Sequence, residues 1–530
     1  MKLSVSTLLA ASVSKSLASI IPSTSSTGIS SANTHQSAKC QNTPTSRSCW
    51  GDYSIDTDYY AVTPHTRVTR EYWLSVENVT IAPDGYSRYA LTFNGTIPGP
   101  PIIADWGDNL YHAHFTTQYG DGLLGPIVLN GPATADYDED LGMLFLSDWS
   151  HIPTSELWDI ANHGPPATIN TGLINGINTW DCINSTDANC VGGGKKFEIT
   201  FVSGKKYRIR IVNSAVEAFF QFSIDGHKLT VIGNDFVPIV PYETDSVVIN
   251  MGQRYDLIVE ANAVVDNYWI RAGWIPTCSV NNDNPLNITG IVRYNSSSTE
   301  NSTTTSSVVI RSNCGDEPLA SLVPHLPMDM GHFSDSNVIQ EDLNYRYGTN
   351  TTYFTWNLNN SALLLNWTTP TILRLFNHET ICPTNYNVVL IDEYDAGDEW
   401  ALVVIQDISN TALPHPFHLH GHDFLVVGQD TGYFNIANTT LNRVNPPRRD
   451  VASVPGNGYL AIAFKMDNPG SWLFHCHIAW HASEGLVLQF VEREKEILAT
   501  FTDPDLLKNN CAAWDTYTIN EMFPQEDSGI

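Results

Sequence analysis

The chain has 530 residues, of which 42% are hydrophobic, and it carries a formal net charge of −29 at pH 7. This length exceeds what one compact core accommodates and predicts about two to four domains. The negative charge argues against nucleic acid or an anionic membrane as a partner, and no stretch beyond the N-terminus is apolar enough to span a bilayer.

The N-terminal segment is typical of a secreted protein. Met1 and Lys2 precede a modestly apolar run, which predicts a signal peptide over residues 1–20. A Ser/Thr-rich leader and an N-terminal disulfide segment follow over residues 21–50. Ten Asn-x-Ser/Thr sequons also fit a secreted, extracellular glycoprotein; they lie at Asn78, Asn94, Asn184, Asn287, Asn295, Asn301, Asn350, Asn359, Asn366 and Asn438.

The chain has nine cysteines, and an oxidising location favours disulfides between those that are near in sequence. We expect three such pairs, which are Cys40–Cys49, Cys182–Cys190 and Cys278–Cys314. Cys476 stands between two histidines and is kept apart for metal binding. Cys382 and Cys511 remain as either a fourth pair or two free thiols.

Past residue 50 the chain is a succession of short β-like runs separated by Gly, Pro and Asn clusters. Examples are residues 72–76, 197–202, 207–212 and 255–259. Many short strands with such turns predict an all-β fold of sandwich or barrel domains. We place domain breaks near residues 160 and 340.

Two histidine-rich segments near the C-terminus carry the candidate chemistry. Residues 415–422 read HPFHLHGH, and residues 475–481 read HCHIAWH. Imidazole and thiolate are ligands that copper prefers, and a His₂Cys set with a weak axial neighbour is typical of a blue-copper site. The two segments therefore predict a copper protein.

Strand geometry would divide these ligands between two sites. Successive side chains of a strand face opposite sides, so Cys476 would serve one metal while His475 and His477 serve a second metal group. His418 and His420 likewise share a face. A single histidine is usually a structural or surface residue, but two independent His-x-His patterns, one with a central cysteine, favour metal binding.

These segments resemble the multicopper oxidases and, within them, the ascomycete laccases. The resemblance runs from about Cys40 to the end of the chain and includes CQNTPTSRSCW (40–50), FNGTIPGP (93–100), QYGDGL (118–123), GQRYD (252–256), VNPPRRD (444–450) and DSGI (527–530). It implies three cupredoxin-like (plastocyanin-like) β-sandwich domains, over residues 51–160, 161–340 and 341–530. It also implies a C-terminal tail that plugs a solvent channel near the copper cluster.

The resemblance implies copper as the cofactor, with four ions per chain in the family and fewer possible here. The type 1 copper would be bound by His415, Cys476 and His481, with the non-ligating Leu486 at the axial position. Loss of a thioether donor disfavours Cu(II), which implies a higher potential than a Met-axial site and favours a laccase over an ascorbate oxidase. The trinuclear cluster would draw on His112, His114, His418, His420, His475 and His477, with His422 outside the ligand set.

By the same resemblance, Asp245 matches the acidic residue that contacts phenolic substrates in laccases. Its carboxylate would accept a phenol proton as the electron leaves. The alternative is a surface aspartate at a strand end. Glu243 is a second candidate for the same role.

The chain departs from the family at Leu110–Tyr111. The family carries a His-Trp-His-Gly motif upstream of His112, and this chain has no such sequence. The loss would remove two cluster ligands and the usual disulfide partner of Cys511, and it would shorten the first domain internally and expose sheet edges. A mispredicted intron, a splice variant or a degenerate paralogue would each leave such a junction.

The resemblance implies a secreted laccase that oxidises phenols, such as those of lignin, or aromatic amines by one electron and reduces O₂ to water. Electrons would enter near His481 and pass through Cys476 to His475 and His477. The alternatives are a catalytically impaired copper-binding glycoprotein and another multicopper oxidase such as a ferroxidase. We expect a monomer whose partners are small aromatic substrates and O₂, with no nucleic-acid or membrane partner.

Overall fold

The computed structural model describes residues 40–62, 69–105, 107–347, 354–379, 382–392, 399–501, 503–518, 525 and 527–530. Regular structure in these ranges is mostly β, which confirms the predicted all-β class, and it falls into three successive units along the chain. The predicted signal peptide and most of the leader lie outside the described residues. None of the described helices is long and apolar enough to cross a membrane.

The first unit has short strands and small sheets. Its strands are β1 (Cys49–Trp50), β2 (Tyr53–Ser54), β3 (Val76–Ile81), β4 (Arg88–Phe93), β5 (Ile102–Asp105), β6 (Gly107–His112) and β7 (Leu124–Asn130). β3 and β4 form a two-stranded ribbon, and β7 lies between β5 and β6 in a three-stranded sheet. The junction at Leu110–Tyr111 lies inside β6, opposite Pro126 and Gly125 of β7.

The middle unit is a sandwich of a six-stranded and a five-stranded sheet. Its elements are β8 (Glu139–Trp149), α1 (Thr154–His163), β9 (Thr171–Ile174), β10 (Phe197–Thr200), β11 (Lys206–Asn213), β12 (Phe220–Ile224), β13 (Leu229–Asn234), β14 (Val237–Thr244), β15 (Val247–Ile249), β16 (Arg254–Glu260), β17 (Asn267–Trp274) and β18 (Thr289–Arg293). The sheet orders are β14-β13-β16-β11-β8-β9 and β10-β18-β17-β12-β15. The structure thus places β8, which precedes the predicted break at residue 160, in the middle sheet.

The third unit repeats this architecture. Its elements are β19 (Val338–Tyr347), β20 (Phe354–Leu358), α2 (Thr371–Phe376), β21 (Val388–Ile391), β22 (Trp400–Asp407), β23 (His415–Leu419), β24 (Phe424–Thr431), β25 (Arg448–Arg449), β26 (Val451–Val454), β27 (Gly458–Lys465), β28 (Gly470–Cys476), α3 (Ala479–Ser483), β29 (Val487–Glu492), α4 (Glu494–Thr500) and α5 (Pro504–Thr518). The sheets run β20-β19-β22-β27-β24-β25 and β21-β29-β28-β23-β26. Short 3-10 helices lie at Gln118–Asp121, Pro285–Asn287, Leu319–Ser321, Asp335–Asn337 and Thr384–Tyr386.

The register of β23 and β28 brings the two histidine-rich segments together. His418 pairs with His475, and Phe417 pairs with Cys476. Both strands are rich in buried apolar residues on the core side, because they lie inside a five-stranded sheet that another sheet covers. The sequence spacing of the histidines therefore becomes a fixed spatial pattern.

A buried ion network joins the middle and third units. Arg449 contacts Asp235 with both side chains fully buried, and Arg254 contacts Asp450 from the opposite unit through two hydrogen bonds. Because each of these groups faces an opposite charge, the attraction between them partly offsets the free-energy cost of removing them from water. The network fixes the position of the loop that leads into β26.

The three predicted disulfides, Cys40–Cys49, Cys182–Cys190 and Cys278–Cys314, are confirmed. Cys382, Cys476 and Cys511 are free, so of the two alternatives for Cys382 and Cys511 the structure has two free thiols.

Candidate metal centre

His415, Cys476 and His481 converge in the core of the third unit. His415 begins β23, Cys476 ends β28, and His481 lies in α3. The two imidazole Nδ1 atoms are 3.1 Å apart, and the Cys476 Sγ lies 3.8 Å and 3.6 Å from them. All three side chains are buried. A thiol and two imidazole nitrogens that face one another, with water excluded, fit the donor set of a mononuclear copper site.

Burial shifts the pKa values of these three side chains in ways that affect metal binding. It lowers the pKa of His415 to about 4 and the pKa of His481 well below the usual value, so both rings are neutral and can donate a lone pair. Burial raises the pKa of the Cys476 thiol, which a metal would have to deprotonate on binding. The Trp356 indole packs against both imidazoles, with ring centroids 4.7 Å and 4.5 Å away.

Leu486 lies beside this set. Its backbone N–H donates to the His481 carbonyl at 2.9 Å, and its carbonyl accepts from the Cys476 N–H at 3.1 Å. Its side chain is fully buried and has no atom that can ligate a metal. A copper bound here would have three strong ligands only.

On the other side of β28 six histidines surround a second centre; they are His112, His114, His418, His420, His475 and His477. Ligand nitrogens of His114, His420 and His475 all lie within 4.8 Å of one another. The Nε2 atoms of His420 and His475 are 3.1 Å apart. His112 contacts His114 and His477, with ring centroids 4.5 Å and 5.7 Å apart, and His418 contacts His420 at 4.7 Å.

The backbone fixes the tautomers of three of these rings. The Nδ1–H groups of His112, His418 and His475 donate to the carbonyls of Ala113, Asp450 and Cys476 at 3.1, 2.9 and 2.9 Å. Each ring therefore keeps its Nε2 lone pair for a ligand. The Nδ1 atom of His477 is buried and has no hydrogen-bond partner among the described residues. A buried nitrogen without a partner is expected where that nitrogen is a metal ligand.

Burial lowers the pKa of all six rings, to about 3 for His418 and about 4 for His475. A small cavity beside them is lined by His114, His477 and the C-terminal Ile530, among others. The Ser528 hydroxyl donates to the Ala482 carbonyl at 2.8 Å, and the Trp367 indole donates to Gly529 at 2.9 Å. These contacts hold the tail beside this cavity, and its role as a plug stays a prediction.

Three of the remaining histidines in the described ranges have other contacts. His422 forms an ion pair with Glu492 at 2.9 Å, His151 contacts Asp84 at 2.8 Å, and the Nδ1 of His163 contacts the Asp159 carbonyl. No further group of three or more metal-ligating side chains lies within the described residues.

Asp245 lies at the surface, next to a lysine. Its side chain is 62% exposed and forms an ion pair with Lys228 at 2.8 Å, and no contact with His481 or Cys476 occurs among the described residues. The short turn between β14 and β15 carries it to the surface. The alternative interpretation, a surface aspartate at a strand end, describes its position.

Glu217 is an acidic residue that the sequence reasoning missed. The Val216 carbonyl accepts a hydrogen bond from Ala479 at 3.0 Å, which anchors this loop to α3 and His481. The Glu217 side chain contacts Trp480, and burial raises the pKa of its carboxyl well above the usual value. Its Oε2 atom is buried without a hydrogen-bond partner among the described residues. The available signal was a lone carboxylate in a small apolar run after β11.

Comparison with known proteins gives a consistent result. A family model described as Multicopper oxidase matches residues 140–297, and another of that description matches residues 350–496. Laccase-2 and laccase-1 of Botryotinia fuckeliana are 53% and 49% identical, over 93% of this chain and 94% of each of those proteins. The crystal structure of a laccase from Botrytis aclada is 52% identical, with a TM-score of 0.88, and covers 93% of this chain and 100% of that chain.

The alignment with laccase-2 spans 553 positions, which is more than the 530 residues of this chain, so this chain carries gaps relative to that laccase. The solved laccase structure also confirms the predicted cupredoxin-like sandwich fold. The chain therefore belongs to the multicopper oxidase family, as a laccase of the ascomycete type, and its cofactor is copper.

Proposed function

We propose that the chain is a secreted oxidase that takes single electrons from phenols or aromatic amines and delivers them to O₂. One observation carries this proposal. The buried His415–Cys476–His481 set is joined through Cys476 to His475 and His477, which belong to the six-histidine centre. Copper bound at the two centres would supply one-electron acceptance and the reduction of O₂.

The protein residues around the mononuclear set would control access. His415 and Cys476 are fully buried, whereas His481 is 7% exposed, so an aromatic donor would approach His481. Trp356 covers both imidazoles and excludes water from them. Hydrogen bonds of Nδ1 to backbone carbonyls orient His418 and His475 toward the second centre.

We assign substrate contact to Glu217 in place of Asp245. The free buried Oε2 of Glu217 lies in the loop next to α3 and would accept a hydrogen bond from a phenol hydroxyl. Glu217→Leu should raise KM for phenols about tenfold, because it removes the hydrogen-bonding carboxyl and keeps a side chain of similar size. Asp245→Asn is the matched control and should leave KM unchanged. If KM rises in the Asp245 variant and not in the Glu217 variant, then Asp245 is the residue that contacts the substrate.

Secretion is supported by the chemistry of the chain. Three disulfides and a series of exposed Asn-x-Ser/Thr sites are typical of an extracellular protein. Recovery of the glycosylated protein from the culture medium, with the first 20 or so residues removed, would agree with this proposal. Retention inside the cell with an intact N-terminus would contradict it.

A second candidate is a catalytically impaired copper protein, because the first unit has only one three-stranded sheet and two two-stranded ribbons among its described residues. Trp73 and Val76 of this unit are 73% and 53% exposed, as expected where covering strands are missing. Such a chain would keep the mononuclear site and lack a complete oxygen-reducing centre.

Copper per chain, measured by elemental analysis of the purified protein, separates the two candidates. A ratio near the family value of four, together with O₂ uptake during phenol oxidation, would support the oxidase. A ratio near one, with strong blue absorbance and no O₂ uptake, would support the impaired protein. Faster oxidation of Fe²⁺ than of phenols would point to a ferroxidase instead.

A further inference from the structure

An uninterrupted series of aromatic rings leads from the mononuclear set to the surface. Trp356 contacts His481 and His415, Tyr345 contacts Trp356 with centroids 5.8 Å apart, and Tyr347 contacts Tyr345 at 6.0 Å. Phe354 fills the space between them, 5.4 Å from both Trp356 and Tyr347. Each neighbouring pair is within the distance of aromatic packing.

The register of β19 and β20 creates this series. Tyr345 is opposite Trp356, and Tyr347 is opposite Phe354, so all four side chains share one face of the two-stranded edge. The exposure changes steadily along the series: Trp356 is 2% exposed, Tyr345 is half-buried, and Tyr347 is 71% exposed. The inner end lies against the metal ligands and the outer end lies in solvent.

We propose that Tyr347 is an electron-entry point for bulky or polymeric phenols, and that Tyr345 and Trp356 relay the electron to His481. This inference rests on the proposed laccase function. Bulky phenols need such a route because His415 and Cys476 are fully buried and His481 is only 7% exposed. Electron transfer slows steeply as the gap between groups grows, and rings in contact keep each gap short.

Tyrosine and tryptophan suit the task chemically. Both can lose one electron and be restored, whereas Phe354 would act only as a bridge. The phenol of the exposed Tyr347 can release its proton directly to water. The position at the open end of the series therefore holds the residue type that can exchange a hydrogen atom with a phenol.

The step balances as a one-electron transfer. Tyr347 would lose an electron through Tyr345 and Trp356 to an oxidised copper held by His415, Cys476 and His481, and its proton would pass to water. A bulky phenol then gives a hydrogen atom to the tyrosyl radical, which restores Tyr347 and leaves a phenoxyl radical. The net change is one phenol O–H bond broken, one proton in water and one electron at the type 1 site.

The test compares two forms of one phenol, 2,6-dimethoxyphenol free in solution and the same group grafted onto a large dextran. Loss of the blue absorbance of the copper-loaded protein is followed anaerobically by stopped flow, so that O₂ turnover is not needed. The variants are Tyr347→Phe and, as a matched control, Tyr433→Phe. Tyr433 is 82% exposed, and its ring has no aromatic contact among the described residues.

We expect Tyr347→Phe to slow bleaching by the grafted phenol by at least about tenfold and to leave bleaching by the free phenol unchanged. Tyr345→Phe should have the same selective effect, and Tyr433→Phe should have none. Undiminished blue absorbance before mixing shows that the variants are folded and loaded. Unchanged rates with the grafted phenol, or equal slowing with both forms, would overturn the inference while leaving the laccase function intact. A wild-type protein without blue absorbance would overturn the proposed function and the inference together.

Discussion

A Cβ atom placed on Gly252 would lie 2.5 Å from Cδ2 of His477, closer than any side chain tolerates. Gly252 also has a φ of +79°, in the left-handed region that favours glycine. The turn before β16 therefore approaches the six-histidine centre at a position that has no side chain. This glycine belongs to the GQRYD segment that supports the family resemblance.

We expect Gly252→Ala to displace His477 and to lower the free energy of unfolding by about 2–5 kcal/mol, from backbone strain and overpacking together. The blue absorbance of the mononuclear site should survive, because none of its three ligands contacts Gly252. Urea unfolding and copper content measure the two effects.

Gly204→Ala is the matched control for this experiment. Gly204 has a similar φ of +85°, but nothing lies within 4 Å of its Cβ position. The Gly204→Ala variant should lose about 1–2 kcal/mol of unfolding free energy, from backbone strain alone, and it should lose no copper. Equal losses in the two variants would mean that the contact with His477 has no effect.

Leu486→Met should lower the reduction potential of the mononuclear site. A thioether at this position adds a weak axial donor that stabilises Cu(II) relative to Cu(I). The two side chains have similar volumes, so the stability cost should stay below about 1.5 kcal/mol. Redox titration of the blue absorbance measures the potential, and Leu460→Met, a buried leucine of β27, controls for general core effects. A potential that is unchanged or raised would remove Leu486 from the axial position.

The parts of the centre that the sequence predicted are those set by local spacing. Alternation along one strand puts Cys476 on one side of β28 and His475 on the other, and short loops suffice to predict the three disulfides. The resemblance also named six histidines that the structure brings together.

What escaped prediction depends on contacts between distant segments. Glu217 reaches α3 through a hydrogen bond between Val216 and Ala479, which are far apart in the chain. The role of Asp245 stays a prediction, because its exposure and its ion pair with Lys228 do not decide whether a substrate contacts it. β8 joins the middle sheet through parallel pairing with β11, and no local pattern in β8 specifies that partner.

Glu341 should make the stability of the third unit depend on pH. Burial, with the nearby charge of Asp342, raises the pKa of the Glu341 carboxyl to about 7, above its usual value of 4.5. The folded state then holds its proton more tightly than the unfolded state, so stability is full below pH 4.5 and is lost as the pH rises to about 7.

Glu341→Gln removes this penalty and should raise the free energy of unfolding by about 1–2 kcal/mol at pH 8, after allowance for partial solvent screening, and by little at pH 4. Urea unfolding at the two pH values measures the difference. Glu399→Gln is the control, since the Glu399 side chain is 50% exposed beside Lys465 and should show no such contrast. A gain at pH 4 that equals the gain at pH 8 would exclude titration of Glu341 as the cause.

Cys382 and Cys511 should react as free thiols in the unfolded protein. Denaturation without reductant followed by alkylation should label Cys382, Cys476 and Cys511 and leave the six disulfide-bonded cysteines unmodified.

In the folded, copper-loaded protein only the half-buried Cys382 should react readily, because Cys511 is 7% exposed and Cys476 is fully buried. Burial raises the pKa of both the Cys382 and the Cys511 thiol, so the expected difference in labelling rests on their difference in exposure. Peptide mapping by mass spectrometry locates the labels. If only Cys476 is labelled after denaturation, then Cys382 and Cys511 form a fourth disulfide, which would contradict this prediction.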